Sequence, residues 1–245
     1  MKEFIMGRYL IIGAGRVGRA LHLCLDDSTL VASRTLNADI ANMIDSKTIV
    51  LLACRDGAID EHVAWLKAAG RKMRAVVHFA GSISHQTLAP LLEVSEGIAR
   101  AHPCRIISAR ATSRVFYGGV LHVTGNEVGL LTIDDLGRSL GMFSAHDSVV
   151  SFDLYHCALY FIVAEHTVSS TAMRIALAAG LSEARLHELA NSIFSSEFRA
   201  ELPTTVGPVA RGDTATIQRH LAALRSFAPE CVEVYKKLFH IPVHL

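Results

Sequence analysis

The sequence predicts an α/β fold: a doubly wound, mainly parallel sheet followed by an all-helical C-terminal domain. Three observations carry that prediction. Short apolar runs alternate with helix-length segments through the first part of the chain. A glycine-rich turn joins the first run to the first helix. After about Ser151 the strand pattern stops.

The first run, Tyr9-Leu10-Ile11-Ile12-Gly13, is continuously apolar, as a strand buried on both faces is. Arg16 to about Leu25 has helical periodicity, and Thr29 to Ser33 reads as the second strand. A short helix near Ala38–Ile44, a strand Thr48–Cys54 and a helix Ile59–Ala69 closed by Gly70 follow. Ala75–Phe79 is the next strand, and His85–Leu92 the next helix. This alternation is the signature of right-handed βαβ units. Between Gly97 and Val150 the pattern gives a strand over Gly118–Gly125 and a helix over Thr132–Leu140, with His102-Pro103-Cys104 following a further strand. Beyond Ser151 helices are expected over Leu154–Ala179, over Glu183–Phe198, from an Asp213 cap to Arg225, and just before His240. The domains are therefore residues 1–150 and 151–245.

Composition narrows the functional classes. The 245 residues are 51% hydrophobic and 19% charged, with 24 basic against 23 acidic side chains, so neither a nucleic-acid nor a membrane partner is indicated. Five scattered cysteines without a Cys-x-x-Cys pair read as reduced thiols, not as a disulfide frame or a zinc site. Met1–Met6 is too short and too acidic for a signal peptide. The most apolar stretch, Leu154–Ala164, is too short to span a bilayer, so a cytoplasmic protein is expected. No lysine lies between Lys72 and Lys236.

Gly13-Ala14-Gly15-Arg16-Val17-Gly18 fits Gly-x-Gly-x-x-Gly between a buried strand and a helix, the context in which that motif binds a dinucleotide. The first glycine permits the tight turn, the second lets backbone approach the pyrophosphate, and the third lets helix pack on strand. The helix N-terminus offers free N–H groups and a positive dipole end to the phosphates. This makes the first domain a Rossmann domain. The second strand ends in Ser33-Arg34-Thr35, with no Asp or Glu to hold a ribose 2′-hydroxyl. An arginine between two hydroxyls suits a 2′-phosphate, so NADP(H) is expected ahead of NAD(H). Ala53, Cys54, Ala80 and Gly81 lie at carboxyl ends of strands, where the rest of the cofactor rests in doubly wound sheets.

Chemistry is sought at His102, Tyr155 and His156, where imidazole and phenol can pass a proton near neutral pH. Each has a structural alternative. His102 beside Pro103 fixes a loop, and Tyr155-His156 reads equally as the polar start of an amphipathic helix. His78 reads first as a packed histidine, Glu165 and His166 as solvent-facing or interface residues, and Arg211 as a tie within the helical half. Hydrolase elbows, zincin motifs and Walker loops are absent from the sequence.

These strings resemble a known group. Besides the glycine loop they are His78-Phe79-Ala80-Gly81-Ser82, His102-Pro103, Leu154-Tyr155-His156-Cys157-Ala158, Gly207-Pro208-Val209-Ala210-Arg211-Gly212-Asp213 and His220–Leu224. The chain resembles the family that joins a Rossmann domain to a helical half known as domain of unknown function 2520. Distant relatives are the 6-phosphogluconate dehydrogenase superfamily, pyrroline-5-carboxylate reductase and deazaflavin-dependent NADP oxidoreductases. The resemblance implies an NAD(P)-binding fold, an interdomain substrate cleft and a homodimer formed through the helical halves. Three positions depart from the group's pattern. Ala80 replaces a serine, Ala164 stands where a polar residue is expected, and the lysine of β-hydroxyacid dehydrogenases has no counterpart. The expected function is hydride transfer between NADP(H) and a small carbonyl or imine substrate. The alternative is a non-catalytic dinucleotide-binding protein that senses redox state or scaffolds a partner.

Overall fold

Seven short segments pair into one sheet. In the computed structural model, which describes residues 9–195 and 207–241, they are β1 (Tyr9–Ile12), β2 (Ser28–Val31), β3 (Ile49–Leu52), β4 (Met73–His78), β5 (Ser95–Pro103), β6 (Val120–Gly125) and β7 (Phe143–Ala145). Their order is β2-β1-β3-β4-β5-β6-β7. The first five strands run parallel, β6 runs antiparallel to β5, and β7 is parallel to β6. The doubly wound, mainly parallel sheet is thus as expected.

The continuous apolar runs have a simple cause. Ile11, Leu51 and Val77 enter one buried layer, while Leu10, Ile12, Val50, Leu52 and Val76 enter the other. Side chains alternate across a strand, so a sheet covered on both faces needs apolar residues at every position.

Helix α1 (Arg16–Cys24) connects β1 to β2, and the short α2 (Ala38–Asn42) precedes β3. Helix α3 (Ile59–Ala69) ends on Gly70 at φ 62°, the expected left-handed stop. Several expectations need correction. The second strand stops at Val31, and Ser33–Thr35 is a separate 3₁₀ turn. His85–Glu93 is also 3₁₀ rather than α-helical, with Pro90 inside it denying an amide to the ladder. His102-Pro103 closes β5 rather than following it.

Helix α4 runs Glu127–Leu140, beginning five residues before the predicted Thr132. Asn126 caps it, accepting from the Gly129 amide at 2.9 Å and from the Ile98 amide of β5 at 3.0 Å. Gly129 weakened the sequence pattern, but its bare Cα is what lets the helix lie on β5. A Cβ there would sit 2.3 Å from the Ile98 carbonyl oxygen.

Helix α5 spans Phe152–Ala178, and the chain divides into two compact units within it, Met1–Leu159 and Tyr160–Leu245. The second unit holds α6 (Glu183–Ser195), α7 (Gly207–Ala210), α8 (Thr214–Phe227) and α9 (Val232–Leu238). Asp213 caps α8 as predicted, accepting from the Thr216 amide at 3.0 Å. The Gly207–Asp213 stretch begins with one helical turn, with Pro208 at a position that lacks an amide partner in any case. Ile217, Leu221 and Ile241 form one small core, and Leu224, Ala228 and Cys231 another. Arg174 pairs with Glu230 on the surface. The Met1–Met6 lead-in and the predicted end of the second helix at Phe198 lie outside the described residues.

Candidate active site

The glycine loop leaves β1 at Gly13, whose φ of 120° is open only to glycine without strain. A Cβ on Gly18 would stand 1.8 Å from the Gly13 carbonyl oxygen, so only glycine allows α1 to start so close to the strand. Gly15 differs: a Cβ there would meet nothing within 4 Å. It caps α1 without any side-chain hydrogen bond, and no acidic residue lies in the first turn. The helix therefore presents unpaired amides beside an open space, as an anion cradle requires.

That space is a cavity of about 550 Å³, lined among others by Gly13, Ala14, Gly15, Arg16, Val17, Ser33, Arg34, Ala53 and Cys54. Arg55, just past the carboxyl end of β3, and His62 line it too, and of these sequence reasoning missed His62. Thr35 does not line it. Its hydroxyl donates to the Ala32 carbonyl at 2.8 Å and closes the 3₁₀ turn. Open backbone at Gly15, free helix amides and three arginines (Arg16, Arg34 and Arg55) against the one carboxylate of Glu61 fit a dinucleotide phosphate chain.

A second group lies at the carboxyl ends of β4 and β5, where β6 and the first turns of α5 meet them. Tyr155 on α5 places its hydroxyl 3.1 Å from His102 Nδ1 and 3.3 Å from Cys104 Sγ. The His156 ring meets that of His102 edge to face at 5.5 Å. It also rests on Gly81, where a Cβ would lie 2.3 Å from His156 Cδ2. All three predicted catalytic side chains, together with Gly81, thus converge within the first unit. Ala80 and Gly81 contribute through their carbonyls.

Sequence reasoning missed the centre of this group, Arg100. It is completely buried. Its Nε donates to the Ala80 carbonyl at 3.0 Å, Nη2 to the Gly81 carbonyl at 2.7 Å, and Nη1 to His122 Nδ1 at 2.8 Å. The guanidinium carbon also lies 4.7 Å from the Phe152 ring centre and 5.0 Å from that of Tyr155. His122 faces His102 across the β5–β6 pairing and stacks on Tyr155 at 4.4 Å. The available signal was a charged residue inside the apolar string Ile98-Ala99-Arg100-Ala101 of β5.

Burial and this cation govern the protonation states. Burial, reinforced by Arg100, holds His102 down at about 4. His78 is also lowered to about 4, first by burial. It accepts from the Ala80 amide at 3.3 Å and shapes the turn after β4, the packed role expected of it. His122 and His85 are lowered by burial and then by Arg100. Tyr155 is raised, first by burial and then by Cys104, while Arg100 pulls it back. At neutral pH His78, His85, His102 and His122 are therefore neutral, beside a neutral phenol and one fixed positive charge.

Glu165 and His166 lie exposed on α5 in the second unit, and Arg211 is exposed beside Asp213. Among the described residues no group of three or more His, Cys, Asp or Glu is arranged to hold a metal ion, and no helix is long and apolar enough to cross a membrane.

Fold and glycine loop together define a class: an NAD(P)-binding Rossmann fold followed by a helical C-terminal unit. Residues 120–240 match the family model described as Domain of unknown function (DUF2520). No curated protein matches the sequence. Among solved structures, a candidate NADP oxidoreductase from Bacteroides fragilis is similar at 18% identity, covering 97% of this chain and 98% of that one, with a TM-score of 0.60. An imine reductase from Streptomyces aurantiacus matches at 15% identity, covering 95% and 93%, with a TM-score of 0.54. The 1-pyrroline-5-carboxylate reductase of Streptococcus pyogenes matches at 16%, covering 96% and 97%, with a TM-score of 0.52. At such identities the likeness is one of fold.

Proposed function

We propose that this chain is an NADP(H)-dependent oxidoreductase acting on a small molecule with a reducible double bond to oxygen or nitrogen. The observation that carries the reading is the Tyr155 hydroxyl, held between His102 Nδ1 and Cys104 Sγ at the strand ends of a fold with a dinucleotide loop. The names of the structural neighbours favour the same class. Bound NADPH would supply the hydride, which the protein itself has no group to provide.

In this reading the chain's own residues orient and protonate. Gly13–Gly18 and the α1 amides hold the phosphates, and Ser33 with Arg34 receives the 2′-phosphate. Tyr155 donates a proton to the substrate heteroatom and recovers one through His102, which is neutral at pH 7 and so able to relay it. His156, stacked on Gly81, walls the site. Tyr160-Phe161-Ile162-Val163 on α5 supports a homodimer through the helical unit. All four are exposed or nearly so, and together they cover every side of the helix.

NADPH and NADH titrations of the wild type and Arg34→Ala test the cofactor assignment. NADPH is expected to bind the wild type at least tenfold tighter than NADH, and Arg34→Ala to remove that difference. Absence of binding by either nucleotide sinks the proposal. The second reading, a non-catalytic dinucleotide binder, is favoured by Ala80 and Ala164, which stand where the resembling family carries polar groups. It predicts NADPH binding with no effect of Tyr155→Phe on any turnover.

A further inference from the structure

We propose that the Tyr155 site is built for a carbonyl compound, neutral or anionic, and against a protonated imine. This rests on the reductase reading above and decides between the two substrate classes it leaves open.

Around Tyr155 the fixed charge is positive. Arg100 is a buried cation, and none of its hydrogen bonds is to a carboxylate. Two carbonyls, one imidazole and two ring faces stabilise it without neutralising it. Because Arg100 donates to His122 Nδ1, neutral His122 carries its proton on Nε2. That Nε2 is buried and makes no hydrogen bond of ordinary geometry. Asp147 is the acidic neighbour of His122, and neither His102 nor Tyr155 has a hydrogen bond to a carboxylate. The site thus holds a fixed positive charge that no carboxylate hydrogen-bonds, and the acceptor beside His122 is the Asp147 backbone.

The two reductions make opposite demands. In carbonyl reduction the carbon accepts a hydride, with its two electrons, from the reduced nicotinamide. The C=O π bond opens, negative charge gathers on oxygen, and Tyr155 gives its proton to that oxygen. Charge then passes to the phenolate, whose ring lies 5.0 Å from the guanidinium. Every stage places negative charge near Arg100, so the cation stabilises the transition state relative to free enzyme and substrate. A protonated imine arrives positive and gains nothing from a fixed cation. It calls for a carboxylate that Tyr155, His102 and Arg100 do not contact. A unit charge roughly 10 Å away in a partly wetted site is worth roughly tenfold in an equilibrium.

The test uses the full chain, labelled with ¹⁵N at histidine and loaded with NADP⁺. Acetate serves as the anionic oxygen probe and pyrrolidinium as the cationic nitrogen probe, at matched ionic strength. Acetate is expected to shift the His102 and His122 signals saturably, at least tenfold tighter than pyrrolidinium. Arg100→Met is expected to abolish that preference and Arg100→Lys to retain part of it. In parallel, NADPH consumption is followed with a set of aldehydes and 2-oxo acids and with 2-methyl-1-pyrroline. Turnover confined to the carbonyl set supports the inference. Turnover confined to the cyclic imine, equal or tighter binding of pyrrolidinium, or no saturable acetate shift overturns it. Should Arg100→Met fail to fold, the wild-type comparison of the two probes still decides. Failure to load NADP⁺ at all would instead sink the oxidoreductase reading, so the two failures are distinct.

Discussion

Alanine at two glycines of one loop should separate folding from binding. At Gly18 an added Cβ stands 1.8 Å from the Gly13 oxygen, against an ordinary contact of roughly 3.2 Å, and the obstacle is backbone. Helix α1 must retreat by more than an ångström or the strand end must yield. Overpacking of this kind costs about 1–3 kcal/mol, or roughly 3–10 °C in a chain of this size. At Gly15 the added methyl meets nothing, and the backbone at φ −77° and ψ −165° accepts an L-residue. A poorer N-cap costs about 0.5–1 kcal/mol, and a stiffer unfolded chain returns about 0.4–1 kcal/mol. The net change is therefore within about 1 kcal/mol of zero. The methyl instead occupies the space where backbone and phosphate must meet. Loss of one charge-assisted hydrogen bond, about 1.5–3 kcal/mol, weakens NADPH binding at least tenfold. Thermal unfolding and NADPH titration of both variants check this. Gly15→Ala should melt like the wild type and bind poorly, whereas Gly18→Ala should fail on both counts. A Gly15→Ala protein that binds NADPH normally would refute the placement of the phosphates.

Three further outcomes follow from the second group. Tyr155→Phe keeps the stack on His122 but loses the bonds to His102 and Cys104, so turnover should fall about a hundredfold while stability changes by about 1 kcal/mol, read by steady-state kinetics and urea unfolding. Gly81→Ala should displace the His156 ring, since the new methyl would lie 2.3 Å from it, and a changed His156 imidazole signal with an unchanged His62 signal in NMR is the expected result. His78 and His102, both lowered to about 4, protonate in the unfolded chain near pH 6.5 but not in the folded one, so stability present above pH 6.5 is lost as pH falls towards 4. The loss is on the order of 3 kcal/mol for the buried His78 and less for the partly exposed His102, and urea midpoints that stay flat between pH 8 and 4.5 would contradict it.

What the sequence disclosed was whatever local pattern encodes. The glycine loop, the apolar strands β1, β3 and β4, the Gly70 stop and the Asp213 cap each depend on neighbours a few residues away. His102, Tyr155 and His156 were selectable because imidazole and phenol carry chemistry at any address. Their convergence was not, since Tyr155 and His102 are 53 residues apart. The stretch from Gly97 to Val150 was read least well because its signals conflict with their surroundings. Arg100 interrupts an apolar strand, Gly129 weakens a helix start, and β6 reverses the direction that the preceding crossovers establish.

Arg100 shows why such a residue stays hidden. In isolation, an arginine in a strand predicts an exposed edge or an ion pair, because a buried unpaired charge is costly. β5 is instead an interior strand, flanked by β4 and β6. The guanidinium is tolerated there because three separate parts of the fold each supply one element of its solvation. The turn after β4 gives two carbonyls, β6 gives an imidazole, and the first turns of α5 give two aromatic faces. None of these partners is adjacent to Arg100 in sequence, and none carries a negative charge. A residue chosen only for stability would be an apolar one, since a well-packed hydrophobe commonly matches or exceeds a buried charge. A cation held by carbonyls and ring faces instead keeps its field unneutralised. That field acts on the hydroxyl of Tyr155, whose ionisation Arg100 favours.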